Sequence, residues 1–400
     1  MSDAETLEMI ARLRGHKSHL KTYFQDIKWG EGYEYTHNTQ KMVFEFPLQW
    51  ESMLAKFDDT VIYFCQRFQN KLLLYFVLVI NAVCAIETGI ALPLVAYCVG
   101  LDAFAAELTY LMLTLAFISQ IPKRFIWRYR PFMVKRAACL RRDTTSSFPS
   151  RAVSCAVVYS YGFLSLVYFH LGIRDYHGII TGLEVLETSI VATVVILVAV
   201  FLSSYCRCYL GCHYPSDCML GAIQGGIICV ISFLLYSFSI ADCFSCSFGQ
   251  CYTSQVPGAT LYGAAGHFNW FLFTTMVLVF LLLTVIALSP PLLFWNKCHH
   301  AMGMLFPCIV VQQTLLCPAN NNAWSLAPPP YYNLASLFYG AALSITATAI
   351  GMFVPKKFAL ISYIFLFGFV YLGISFWRVA SLVYLPFDDN FGLLGINVYS

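Results

Sequence analysis

An all-α, multi-pass transmembrane helical bundle of nine or ten spans is the fold this sequence predicts. Three observations carry that prediction. Hydrophobic residues make up 59% of the 400 and charged residues only 11%, whereas soluble domains run at about 45–50% apolar and about 25% charged. A single soluble core cannot hide so much apolar surface, so lipid is the expected solvent. Apolar stretches near the roughly 20-residue length of a spanning helix recur at roughly 72–99, 104–121, 152–172, 181–204, 217–238, 268–290, 300–317, 334–353 and 358–378. The cations, finally, are unevenly placed: nine of the fifteen Lys/Arg beyond residue 71 fall between Lys123 and Arg151.

Residues 1–71 form an N-terminal polar and amphipathic region, with nine Lys/Arg against ten Asp/Glu. No apolar core precedes a cleavage site there, so insertion is expected to be directed by the first membrane helix itself. Leu7, Ile10, Leu13, Leu20 and Phe24 recur at loose helical spacing within residues 4–26. A second amphipathic stretch runs from about Pro47 to Asn70, with Trp50, Leu54, Phe57, Ile62 and Phe68 at its apolar positions. It suits either a helix lying in the headgroup layer or a soluble helix packed on the membrane domain.

The first apolar stretch, 72–99, is long and carries Glu87 and Gly89 near its middle, which predicts one broken helix or two short ones. Residues 72–238 then form a membrane core, and 239–400 add further membrane helices. Between the last of these, the run Pro318–Tyr332 is a loop, because consecutive prolines remove backbone donors. Glu87, Glu184 and Glu187 lie within or beside spans, where each can line a headgroup path or pair inside the bundle. The sixteen cysteines lie mostly in apolar stretches, where Cys behaves as a small hydrophobe. Cys243, Cys246 and Cys251 form a tight trio whose readings are plain loop thiols, a disulfide, or a metal or acyl site. No Asn-x-Ser/Thr sequon occurs, so glycosylation says nothing about orientation.

Three polar patches sit at helix ends. Lys123 and Arg130, in IPKRFIWRYRPF, are seven residues apart, nearly two helical turns, so both are expected on one helix face, with Pro131 ending that helix. Pro149 and Ser150 stand just ahead of an apolar helix. Ser is a good N-cap, and a helix N-terminus offers amides and partial positive charge to an anion. In CRCYLGCHYPSD, Arg207, His213 and Asp217 are spaced six and then four residues apart. A His and an Asp four apart are expected to meet on one helix face, where the carboxylate can fix the imidazole tautomer. Together the patches suit one oxyanion site, with cations for charge, Ser and amides for hydrogen bonds and a His as nucleophile. A basic cluster lying against spans, not on a soluble face, also argues against nucleic-acid binding.

The ordered patterns Lys-x6-Arg-Pro, Pro-Ser and (Ser/Cys)-Arg-x5-His-x3-Asp resemble the three motifs of the type 2 phosphatidic acid phosphatase superfamily. Within it the chain looks closest to the sphingosine-1-phosphate phosphatase-like branch, which also carries helices beyond the third motif. The motif-bearing resemblance covers about 60–238 and implies a six-helix phosphatase-like core. It implies that Lys123, Arg130 and Arg207 hold phosphate oxygens, helped by the Ser150 hydroxyl and the Arg151 amide. His213 would attack phosphorus to form a phosphohistidine, with Asp217 orienting it, and no metal or other cofactor is needed because fixed cations neutralise the developing charge. The implied partners are a lipid phosphate substrate and membrane lipids. The implied substrate is a sphingoid-base, isoprenoid or related lipid (di)phosphate, and the implied location is the endoplasmic reticulum or another endomembrane.

The chain departs from that pattern at the second motif, which usually reads Pro-Ser-(Gly/Thr)-His. Here Arg151 and Ala152 follow Ser150, so the His that protonates the leaving group is absent. Such general-acid help is typically worth about 10²–10⁴ in rate. A binding-only pseudoenzyme, a substrate with a good leaving group, and electrostatic help from Arg151 each accommodate the loss; lipid phosphotransfer is a further alternative. Cys206 replaces the usual Ser before Arg207. Loop charge places the site on the cytosolic side, whereas the resemblance implies a lumenal face.

Overall fold

The computed structural model describes residues 44–134, 136–141, 143, 145–167, 182–243, 292–315, 334–354 and 358–384. The architecture is the expected helical membrane bundle. Five described helices are long and apolar enough to cross a membrane, or six if one bent pair counts as a single span. The expected span at 268–290 and the residues 4–26 lie outside the described residues, as do Cys246 and Cys251. Of the 152–172 span, the described part ends at 167, and the apolar core of the 300–317 span is the short stretch His299–Val311.

The broken first span is helix α2 (Lys71–Val83) followed by α3 (Ile86–Val99), bent by 52°. Asn70 starts α2 by accepting from the Leu72 amide at 2.9 Å. Between the halves, the chain turns through Cys84 and Ala85. A break at membrane depth frees backbone groups that lipid cannot satisfy. Tyr159 supplies the partner for two of them, donating to the Ala85 carbonyl at 2.6 Å and accepting from the Gly89 amide at 3.1 Å.

Helix α4 (Asp102–Ile118) is the axis of the bundle. The span Phe104–Lys123 is 89% buried, whereas the other four are 17–39% buried and face lipid. A helix apolar on every side belongs inside. Around it pack α3, α6 (Arg151–Ser165) and α8 (Pro215–Cys243), with α7 (Gly182–Tyr209) against α6. On the other flank α9 (Leu292–Leu315) packs on α4 and along α11 (Ala359–Tyr384), and α10 (Leu334–Phe353) lies on α3. The end of α4, the start of α6, the end of α7 and the start of α8 meet at one end of the bundle.

At that end lies α1 (Leu48–Gln66), packed on α7 and α8. Its inward side is not the apolar stripe that packing as a soluble helix on the membrane domain would turn in. Of the five apolar positions only Ile62 is buried and Leu54 half-buried, while Trp50, Phe57 and Phe68 are exposed. Glu51 and Asp58 are buried instead, because cations from the 128–136 segment await them. A two-residue parallel pairing of β1 (Phe44–Glu45) with β2 (Ile126–Trp127) ties the chain ahead of α1 to the same segment.

Candidate active site

Lys123 belongs to a short helix, α5 (Ile121–Phe125), that continues from α4. The expected single helical face for Lys123 and Arg130 is not formed. The helix ends at Phe125, before Pro131, because residues 126–127 are drawn into the pairing with 44–45. The two cations converge all the same, through the loop that follows. Lys123 Nζ donates to the Ser146 carbonyl at 3.0 Å. Arg130 is fully buried and donates to the carbonyls of Thr145 at 2.7 Å, Cys212 at 2.8 Å and Ser146 at 3.2 Å. Its Nη2 also lies 3.0 Å from Asp143 Oδ2.

His213 does not lie on a helix with Asp217. It sits in the turn between α7 and α8, and Asp217 is in the first turn of α8. Pro215, preorganised for a first helical position, starts that helix. The chain reverses at Gly211, whose φ of +72° favours a residue without a side chain; a Cβ there would also collide with the Ala138 carbonyl oxygen. The turn presents His213 with no exposed surface. Its Nδ1 is 2.6 Å from the Ser147 carbonyl, so Nδ1 carries the proton and donates it there. Nε2 is then the basic nitrogen, with Arg207 Nη2 at 3.0 Å and Arg130 Nη1 at 3.2 Å donating to it.

Asp217 does not orient the imidazole directly, since its Oδ2 lies 3.9 Å from Nδ1. It accepts instead from the Ser147 hydroxyl, from the Tyr214 amide at 3.1 Å and from Arg128 Nη1 at 2.6 Å. The carboxylate therefore fixes the backbone that fixes the imidazole.

Ser150 occupies the N-cap position of α6, but its side chain makes no capping bond. Its amide donates to the Asp217 carbonyl at 3.0 Å, and its Oγ is buried with no hydrogen-bond partner among the described residues. The close approach of α8 depends on Gly221, where a Cβ would run into the Ser150 carbonyl oxygen. Arg207 donates through Nη1 to Asn81 of α2, while its Nε is likewise buried without a partner among the described residues. Two such donors in a buried cationic cleft are of the kind that an anion would satisfy. Arg151, the first residue of α6, is half-buried and makes no hydrogen bond or ion pair among the described residues. Ala152 beside it is buried.

Burial, and then the charges of Arg130, Arg207 and Lys123, hold the His213 imidazole well below its ordinary range, so it is neutral at pH 7. Burial alone would push Asp143 up, but Arg130, Lys123 and Arg207 hold its carboxyl well below the usual range. This carboxylate, 29% exposed, is thus an internal anion at the mouth of the cation cluster.

Sequence reasoning missed Arg128. It pairs with Glu51 at 2.8 Å, Asp58 at 2.9 Å and Asp217 at 2.6 Å, and its guanidinium stacks between Phe46 and Tyr214. It belongs to the nine-cation cluster but has no place in the three ordered patterns. Asp143, Ser147 and Asn81 were missed too. A backbone carbonyl acceptor such as that of Ser147 leaves no mark in a sequence, and Asn81 lies on a helix of the first span.

With this geometry in place, comparison with known proteins adds one match. Residues 104–241, which run from α4 to the end of α8, match the family described as the PAP2 superfamily. No curated protein and no solved structure matches the chain. The match supports phosphatase chemistry on phosphate esters in a helical membrane protein.

Proposed function

We propose that this protein is a metal-independent phosphatase of lipid phosphates that works through a phosphohistidine on His213. The observation that carries the proposal is the set of donors around Nε2. Arg130 and Arg207 donate to it, the charge of Lys123 acts on the same imidazole, and the Ser150 hydroxyl and Arg207 Nε have no partner among the described residues. A phosphate entering this cleft draws the guanidinium protons away from Nε2 and frees its lone pair. Nε2 then forms a bond to phosphorus as the bond to the lipid oxygen breaks, and that oxygen leaves with the electron pair. Nδ1–H donating to Ser147 stabilises the positive charge that develops on the ring. Water next attacks the phosphohistidine, releasing inorganic phosphate and restoring the neutral imidazole. Fixed cations and hydrogen-bond donors neutralise charge throughout.

The leaving oxygen lacks its usual proton donor, since Ala152 stands where the pattern has His. Two features make up for this in the proposal. Arg151 opens α6 beside Ser150, where its charge stabilises the departing oxygen without transferring a proton. A diphosphate, whose leaving group is itself a phosphate, needs little protonation. The substrate is accordingly a sphingoid-base, isoprenoid or related lipid phosphate, with the diphosphates favoured, in an endomembrane such as the endoplasmic reticulum. A catalytic core at 72–238 flanked by the 1–71 and 239–400 segments belongs to the same proposal.

A second reading, binding without turnover, draws on the full burial of His213 together with Ala152. One experiment decides between them: phosphate release by the purified protein in detergent, across a panel of lipid mono- and diphosphates, with His213→Ala beside it. Release that disappears in the variant supports the phosphatase. Bound phosphate analogues with no release from any lipid overturn it in favour of the binding protein.

A further inference from the structure

Helix α1 turns its acids inward and its aromatics outward. The buried stripe is Glu51, Ala55, Asp58, Ile62 and Cys65, and its two acids are engaged by Arg128 and Arg136. The opposite stripe is Trp50, Met53, Phe57 and Phe64, with Phe68 just past the helix end, and each of these is 46–79% exposed. A stripe of this size on one helix marks an interaction surface.

Three features identify what covers it. Lys56, Arg67 and Lys71 are exposed around the stripe, and no exposed acid accompanies them on α1; Asp59 is paired to Arg136 at 2.6 Å. The stripe runs on, through residues 67–70, into Leu72, Tyr75, Phe76 and Val79, the outward face of the first span. And α1 lies across the ends of two spans, with Gln66 Nε2 donating to the Tyr209 carbonyl at the end of α7 at 2.9 Å. The apolar spans that end at Tyr209 and begin at Pro215 stop at that level.

We propose that α1 lies in the headgroup layer of the protein's own bilayer. Its aromatic stripe is seated beneath the headgroups, and Lys56, Arg67 and Lys71 bind anionic lipid. Of the two settings the sequence leaves open, α1 occupies both, one on each face. The acids facing inward tie the lipid-bound helix to the floor of the site, because Glu51 and Asp58 hold the same Arg128 that anchors Asp217.

The test uses the full chain in nanodiscs of phosphatidylcholine, with or without phosphatidylglycerol, and does not depend on catalysis. Photoreactive variants Phe57→p-benzoylphenylalanine and Phe64→p-benzoylphenylalanine are compared with the same change at Phe233, exposed on the lipid-facing helix α8. Expected are lipid adducts at all three positions, with phosphatidylglycerol enriched several-fold at Phe64 over its share of the disc. The double variant Lys56→Glu with Arg67→Glu should abolish that enrichment while adducts persist. Absence of lipid adducts at Phe57 and Phe64 while Phe233 labels would overturn the proposal. So would adducts joining two chains or capturing another protein, and unchanged enrichment in the double variant would overturn its anionic-lipid component.

Discussion

His213 donates from Nδ1 to the main-chain carbonyl of Ser147 at 2.6 Å, so a backbone group, and not a carboxylate, sets the imidazole tautomer. Asp217 acts one step further out, by holding the Ser147 hydroxyl and the Tyr214 amide.

That arrangement makes Asp217 a positioning residue with a limited effect. Asp217→Asn keeps the shape and the Ser147 contact but weakens the pull on Arg128. Outer partners of metal-bound histidines typically matter by about 10–100-fold, and by analogy phosphate release should fall by that order. His213→Ala should abolish release. Equal losses in the two variants would show that the carboxylate acts on the imidazole directly.

Asp143 competes with substrate for Arg130, which it meets at 3.0 Å. Asp143→Asn should therefore tighten binding of inorganic phosphate by about tenfold, equivalent to about 1.4 kcal/mol. The shift in melting temperature with added phosphate reads this without any turnover. Weaker binding in the variant would instead assign Asp143 to holding Arg130 in place.

Arg128 should dominate the stability of this end of the bundle. Removing one partner of a buried ion pair typically costs about 3–5 kcal/mol, and Arg128→Met would leave Asp58 and Asp217 without their cation and Glu51 with Arg136 alone. A large drop in melting temperature in detergent is expected, with Arg128→Lys recovering only part of it because an ammonium cannot keep all three contacts. A melting temperature close to that of the parent protein would contradict the clamp.

The depressed His213 gives stability a direction with pH. Below an ordinary histidine pKa of about 6.5 the unfolded chain takes up a proton that the folded site refuses. Stability should thus fall with acidification from about pH 6.5 downward, by up to about 1.4 kcal/mol per pH unit, until the folded pKa is reached. His213→Gln should flatten this part of the melting profile. Identical profiles from pH 7 to 5 would place the imidazole in a solvated, ordinary state.

Composition and apolar run lengths were enough to read a helical membrane bundle, since lipid imposes a length and a hydropathy on every span. The broken first span was visible too, in Glu87 and Gly89 within a stretch too long for one helix. The spacing of Arg130, Arg207 and His213 pointed to residues that the structure brings together, both guanidiniums donating to Nε2. Three-dimensional placement decided the rest. Helical spacing wrongly put Lys123 and Arg130 on one helix face, and His213 on one helix with Asp217, because a short strand pairing and the Gly211 turn end the helices first. Which face of α1 turns inward was left open by hydropathy, and Arg128 and Arg136 decide it by drawing in Glu51 and Asp58. Sequence by itself determined what each span must be, through local and additive burial. Only the tertiary structure decided which buried charges meet, because ion pairing joins residues such as Glu51, Arg128 and Asp217 that no local pattern connects.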